Sequence, residues 1–599
     1  MFRSSRARAS LIRSLLLGTA TTAFAVSASS VLLVGCKDES QPDYWVEKLN
    51  EASWRSRSVT RLSQFFEDAS SKAKGDNNDP KVQELLNKIV DPLTKTYVDK
   101  YAELDTKTRV ALIKLLAAFR DKRTEPALKK AFEEFAKKPA TGKDDADIKW
   151  AVRAAADLKL DSLADPLVQA FLKLRASTML GGVTYKDFND AMVEIKAKSW
   201  TGPLISALDA PIERPSGAKD KDKIDPYKDQ LFWQTTAAQV LGEIAAPEAV
   251  EPMMKIMLDP EKADAQATAV LAMVKIGKPA AEAAIKLLKS EDEKMIAFHY
   301  RRLKELKQIK DEDEKKMKEK PQDAPHVQTA AIIVGTIGRG EGVAPMLEAL
   351  KKAEKDVTRA LIARELVKLP RSAESLTAFK EAFEKISIEA NIPPGMNALQ
   401  MLAEAAGQFY NAELIDWLLE RADKTKGSGD DLKALQGAIV VTTIKLAKAD
   451  QLDKVKAAVD KYGTKLEKDL YAQAEKLVKQ CTDKADCYLV EMEKSTNQEQ
   501  ATQFIGIKAG YMGAILGGEA QRDELLALFD RREAYAQWFD SASALQAACA
   551  TLTQTEARRQ LRGVAEALDA LSRIDYYHGA AAAQARATLQ ALRQTLDAC

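Results

Sequence analysis

Apolar residues recur three and four positions apart in short runs along most of the chain, and polar residues fill the positions between them. Val110–Phe119, Trp150–Leu158, Thr236–Ile244, Ala269–Ile276, Thr329–Ile337 and Ile507–Leu516 all carry this period. It is the spacing of one helix face, and alternating β-branched runs are scarce, so the pattern predicts an all-α fold of short amphipathic helices. The helices come in pairs. Thr236-Ala-Ala-Gln-Val-Leu-Gly-Glu-Ile244 is followed by Pro252-Met253-Met254, and Thr329-Ala-Ala-Ile-Ile-Val-Gly-Thr-Ile337 by Pro345-Met346-Leu347. In both, the proline falls eight positions after the last isoleucine, and Pro166 follows Leu158 at the same interval. Composition alone rarely produces such a register, which therefore reads as an internal repeat.

The residue types make physical sense of the repeat. Ala237, Ala238 and Gly242 permit close helix packing, while Val240, Leu241 and Ile244 fill an apolar seam. A proline at the start of the second helix lacks an amide hydrogen that would have no partner there. One such hairpin cannot bury its apolar face alone, so neighbours must stack. On these residues the chain resembles the HEAT-repeat family over residues 45 to about 528, which implies a HEAT-like α-solenoid of stacked antiparallel helix pairs. The family's turn residues occur only in places, as Asp121 with Arg123 and Asp356 with Arg359. Residues 71–80, 139–145, 211–226 and 423–431 read as loops, and the charged run 291–320 as one longer solvent-facing helix with intrahelical ion pairs.

Charge and composition narrow the function. The 599 residues include 90 basic and 88 acidic ones, so nothing points to a nucleic-acid partner. Arg3, Arg6, Arg8 and Arg13 precede an uncharged run from Leu15 to Gly35, which reads as an export signal at 1–35. The run is also long enough to span a bilayer. Its end, Leu33-Val34-Gly35-Cys36, resembles a bacterial lipobox, which implies lipidation of Cys36 and a short tether over 36–44. Lys37, not aspartate, follows the cysteine, and by the same resemblance the expected location is the cell envelope at the outer membrane.

Candidate chemistry is sparse. His299, His326 and His578 stand outside any metal-binding spacing, and Asp220, Asp222 and Asp225 lack the further ligands of a calcium loop, since Ile224 takes the fifth position. Gly338, Gly340 and Gly342 join two helices with no phosphate-binding lysine after them. No cofactor or metal is expected, and no catalytic set is identified. Cys481 and Cys487, with five residues between them in a loop joining two helices, are expected to form a disulfide staple in an oxidising compartment. Cys549 and Cys599 pair, stay free or bridge molecules. The seven tryptophans, Tyr511 and Met512 are expected in the core.

Lysine is absent after Lys508, and the stretch 529–599 is rich in alanine and arginine. A fused helical tail and a change of reading frame both account for it, and translation of the coding DNA in all frames separates them. The expected function is a non-catalytic, membrane-anchored scaffold that binds envelope proteins, with the surface of second helices such as those near Pro252 and Pro345 as the contact face. An enzyme of lyase or hydrolase type with dispersed residues is the alternative.

Overall fold

A computed structural model describes residues 39–137, 146–175, 185–215, 221–392, 395–484, 487–488, 491 and 503–516. The leader, Cys36, the loop 139–145, Asp220 and the whole tail 529–599, with Trp538, Cys549, His578 and Cys599, lie outside them. The described chain is all-α: its only strands are the two-residue pair Asn391–Ile392 and Met396–Asn397. No described helix is long and apolar enough to cross a membrane.

The helices follow one another in the order the sequence pattern predicts. Thr106–Phe119 is followed by Glu125–Lys137, Ala146–Leu158 by Ala164–Phe171, Tyr185–Ile195 by Thr201–Asp209, Lys221–Ile244 by Val250–Leu258, and Pro325–Ile337 by Val343–Lys352. Each first helix contacts the next first helix, from Arg55–Lys72 through to Asp430–Leu446. Pro166, Pro203, Pro252 and Pro345 all occupy the third position of a second helix. That is still the first turn, where backbone amides have no intrahelical acceptor.

Five of the junctions between successive helices turn in one way. The residue after the first helix is left-handed, at φ 50° for Arg120, 48° for Lys159, 51° for Lys196, 58° for Ala245 and 76° for Gly338. An extended residue and a three-residue 3-10 turn then lead into the second helix. Only one of the five is glycine, and a side chain in this conformation costs about 1 kcal/mol. Three of the others are basic, and each reaches an acid near the end of the next first helix: Arg120 to Asp157 at 3.6 Å, Lys159 to Glu194 at 2.6 Å, and Lys196 to Glu243 at 3.5 Å. Side chains from other elements also satisfy backbone carbonyls at helix ends. Trp200 Nε1 donates to the Ala164 carbonyl at 2.7 Å, Asn77 Nδ2 to that of Phe119 at 2.9 Å, and the buried Lys262 ammonium to that of Leu208.

The glycines expected to admit a close neighbour do so. A Cβ on Gly242 would lie 2.8 Å from Ala272 Cα, and one on Gly335 would lie 2.7 Å from Glu365 Cβ. Both contacts are with the next first helix, which explains why the two segments share a glycine at that register.

Two expectations about loops are corrected. Residues 291–320 are not one exposed helix but two, Glu293–Glu305 and Asp311–Glu319, separated at Lys307 with φ 57°. The first packs on Val250–Leu258 and buries Met295, His299, Tyr300 and Leu303, so its charges mark only the outward face. The predicted loop 211–226 ends early, because Lys221–Ile244 begins a turn before Pro226. Tyr227, one position after the proline, donates its hydroxyl to Asp264 of Ala263–Ile276 and ties this early turn to that helix.

Candidate functional site

Among the described residues, a groove of about 550 Å³ opens beside the helix Asp430–Leu446. The helix Asp430–Leu446 supplies its floor. Ala434, Gly437, Ala438 and Val441 fall three, four and seven positions along that helix, and Lys433 and Lys445 flank them. This is one face of a helix reduced to small side chains. A Cβ on Gly437 would meet nothing closer than 3.9 Å, so the space above it is open.

The walls come from elsewhere in the chain. Gln400 and Glu404 stand on Ala398–Ala406, Gln408 and Tyr410 on the turn that ends it, Tyr462 and Thr464 on a hairpin junction, Glu467 on Lys465–Cys481, and Tyr511 on Gln503–Leu516. Gly407 allows this convergence: a Cβ there would be 3.1 Å from the Tyr511 hydroxyl and 3.2 Å from Thr442 Cγ2. Tyr410 is left-handed at φ 44°, and its ring lies 4.9 Å from that of Tyr511. The Arg371 guanidinium stands 4.7 Å over Tyr410, and the Lys445 ammonium 5.8 Å over Tyr511.

Electrostatically the groove is balanced, with Lys433 and Lys445 against Glu404 and Glu467. Burial pushes the Glu467 carboxyl up, but the hydroxyl and amide of Thr464 donate to it and hold it below the usual carboxylate range. Beneath the groove, Lys508 is fully buried and donates to the carbonyls of Lys445 and Ala447 at the end of Asp430–Leu446. Burial drives its pKa far down.

Gln408, in the turn after Ala398–Ala406, is 8% exposed and lines the groove. Gln408 was not legible as special in sequence, because nothing local marks a glutamine at a helix end as buried.

The residues singled out from sequence take other places. Cys481 and Cys487 lie at disulfide separation, with Cα atoms 5.3 Å apart at the end of Lys465–Cys481. Gly338 to Gly342 form a hairpin turn like the others. His299 and His326 are buried and structural: His299 Nδ1 bonds to the Leu258 carbonyl at 2.6 Å, and His326 meets Ser290 at 2.9 Å and the Tyr300 hydroxyl at 3.2 Å. Burial, together with the nearby His299, pushes His326 down to about 4. No group of metal-ligating side chains occurs among the described residues.

Trp45, Trp200 and Met512 are in the core as expected, whereas Trp54, Trp150, Trp233 and Trp417 are half-buried beneath Arg or Lys side chains. Tyr511 packs on the core and also faces the groove. The concavity therefore draws mainly on first helices and turns, not on the second-helix face near Pro252 and Pro345. In comparison with known proteins, no family model and no curated protein matches the chain.

Proposed function

We propose that this chain is a non-catalytic protein-binding scaffold: a solenoid of stacked HEAT-like helix hairpins, held at the bacterial outer membrane by lipid on Cys36. The single observation that supports it best is the repeated turn, in which a left-handed residue, an extended residue and a 3-10 turn recur at Arg120, Lys159, Lys196, Ala245 and Gly338. Identical turns with first helix packed on next first helix are the local conditions for a stacked array, and such arrays work through extended surfaces rather than a single catalytic cleft. The leader and Cys36 supply the membrane part of the reading, and a stapled Cys481–Cys487 pair suits an oxidising compartment.

Crosslinking in native envelopes, followed by affinity capture and mass spectrometry, tests the whole reading with Cys36→Ala as control. A reproducible protein partner that disappears with Cys36→Ala is the expected result. Capture with no reproducible partner would overturn the scaffold, and an unaltered membrane fraction for Cys36→Ala would overturn the lipid anchor.

A further inference from the structure

We propose that the first helix pair docks on the phosphates of an anionic phospholipid surface through Arg57 and Arg61, and so fixes how the chain stands on the membrane. The inference deepens the scaffold reading and rests on its lipid anchor at Cys36. Chain length carries the first part. The described residues begin at Glu39, whose carbonyl accepts the Trp45 indole N–H at 2.8 Å. Cys36 stands three residues before Glu39, a reach of at most about 11 Å. Lipid on Cys36 therefore brings Pro42–Lys48 and the start of Arg55–Lys72 to the headgroup layer. No earlier helix among the described residues packs on this pair.

The chemistry of that end fits phosphate. Arg55–Lys72 holds three arginines before its first acid, Glu67. Arg55 is buried and donates to the Leu49 carbonyl and to Glu103. Arg57 and Arg61, one turn apart on one face, form no ion pair among the described residues. Arg57 is exposed, and its guanidinium lies 5.4 Å from the Trp45 ring and 5.2 Å from that of Trp54. Arg61 lies 5.8 Å from Trp45 and 5.6 Å from Phe65, and it donates to Gln64. A guanidinium held over a ring keeps N–H groups at its edge for a phosphate oxygen. Nearby acids do not cancel the two arginines. Glu51 is spent on Lys48 at 2.6 Å, and Asp43 and Glu47, each two positions from Trp45, lie across the helix from its ring. On the face of Arg57 and Arg61 the next acid, Asp68, stands about two turns beyond Arg61. The half-buried Trp54 adds an amphipathic indole of the kind that settles at a membrane interface.

The test uses the chain purified from membranes and reconstituted in vesicles of phosphatidylcholine, with and without phosphatidylglycerol. Phenylglyoxal modification, read by peptide mass spectrometry, reports each arginine separately. Arg57 and Arg61 are expected to react about fivefold more slowly in the anionic vesicles than in detergent, with the exposed Arg301 unchanged. Salt at 1 M, where the screening length falls to about 3 Å, should remove that protection. The double variant Arg57→Gln with Arg61→Gln should stay in the membrane fraction, yet lose about half of the tryptophan quenching by a lipid spin-labelled at its headgroup. Equal reactivity in detergent and anionic vesicles, or equal protection in neutral ones, would overturn the anionic contact while leaving the anchor standing. Mass analysis of the N-terminal peptide separates that failure from failure of the anchor, since a chain without lipid on Cys36 would overturn both.

Discussion

At the scale of single residues, two helical glycines have opposite roles. Gly242 is pressed against Ala272 at 2.8 Å, whereas Gly437 has nothing nearer than 3.9 Å to where its Cβ would lie. Gly242→Ala is therefore expected to destabilise by about 1–3 kcal/mol, overpacking outweighing the better helix propensity. Gly437→Ala is expected to stabilise by about 0.5–1 kcal/mol through propensity alone. Urea denaturation of the two variants beside wild type reads both signs. His326 adds a pH dependence. Its pKa is about 4 in the folded chain, below the ordinary 6.5, because burial disfavours the imidazolium. Above pH 6.5 it is neutral whether folded or not, and the folded state incurs no penalty. As pH falls from 6.5 toward 4 the unfolded chain takes up a proton that the folded one excludes, so stability is lost across that window and levels off below it. The loss attributable to this residue is about 3 kcal/mol. His326→Gln should flatten that part of the profile relative to wild type, and equal slopes for the two proteins would refute the assignment.

At the scale of the element, the basic residues after the first helices are the informative feature. Arg120 and Asp157 are 72% and 50% exposed in their side chains, whereas Lys275 and Glu243 are each 14% exposed. Solvent screening leaves the first pair little net energy, so Arg120→Ala should change stability by no more than about 0.5 kcal/mol. Lys275→Met should cost several times as much, about 2 kcal/mol, because it strips a partner from a largely buried Glu243 that Lys196 contacts only at 3.5 Å. Thermal melts rank the two, and a larger effect from Arg120→Ala would contradict this account. These pairs link one hairpin to the next, so they bear on how hairpins stack and not on whether each helix forms.

At the scale of the whole molecule, strong helix contacts join elements that are close in the chain, and first helices follow one another in sequence order. Coupling should therefore decay with distance along the array. Ile89 is fully buried in Pro80–Asp99, and Ile89→Ala should cost about 2–5 kcal/mol locally. Hydrogen exchange is expected to accelerate in the helices from 55 to 137 while protection in 398–481 stays near its wild-type level. Uniform loss of protection along the chain would show one cooperative unit instead of a nearest-neighbour array.

What the sequence determined by itself is the local part of this structure. Helix hydrogen bonds close over four residues, so the three-and-four period placed the helices, the eight-residue interval placed the prolines of the second helices, and shared glycines at 242 and 335 announced close neighbours. Tertiary structure alone decided the rest. No glycine marks the left-handed turns at Arg120, Lys159, Lys196 or Ala245, where the packed fold imposes the conformation in spite of its backbone cost. The burial of His299 within a highly charged run followed from packing on Val250–Leu258, which no spacing encodes. The groove joins Gln400 to Tyr511, far apart in the chain, and only tertiary packing brings them to one concavity.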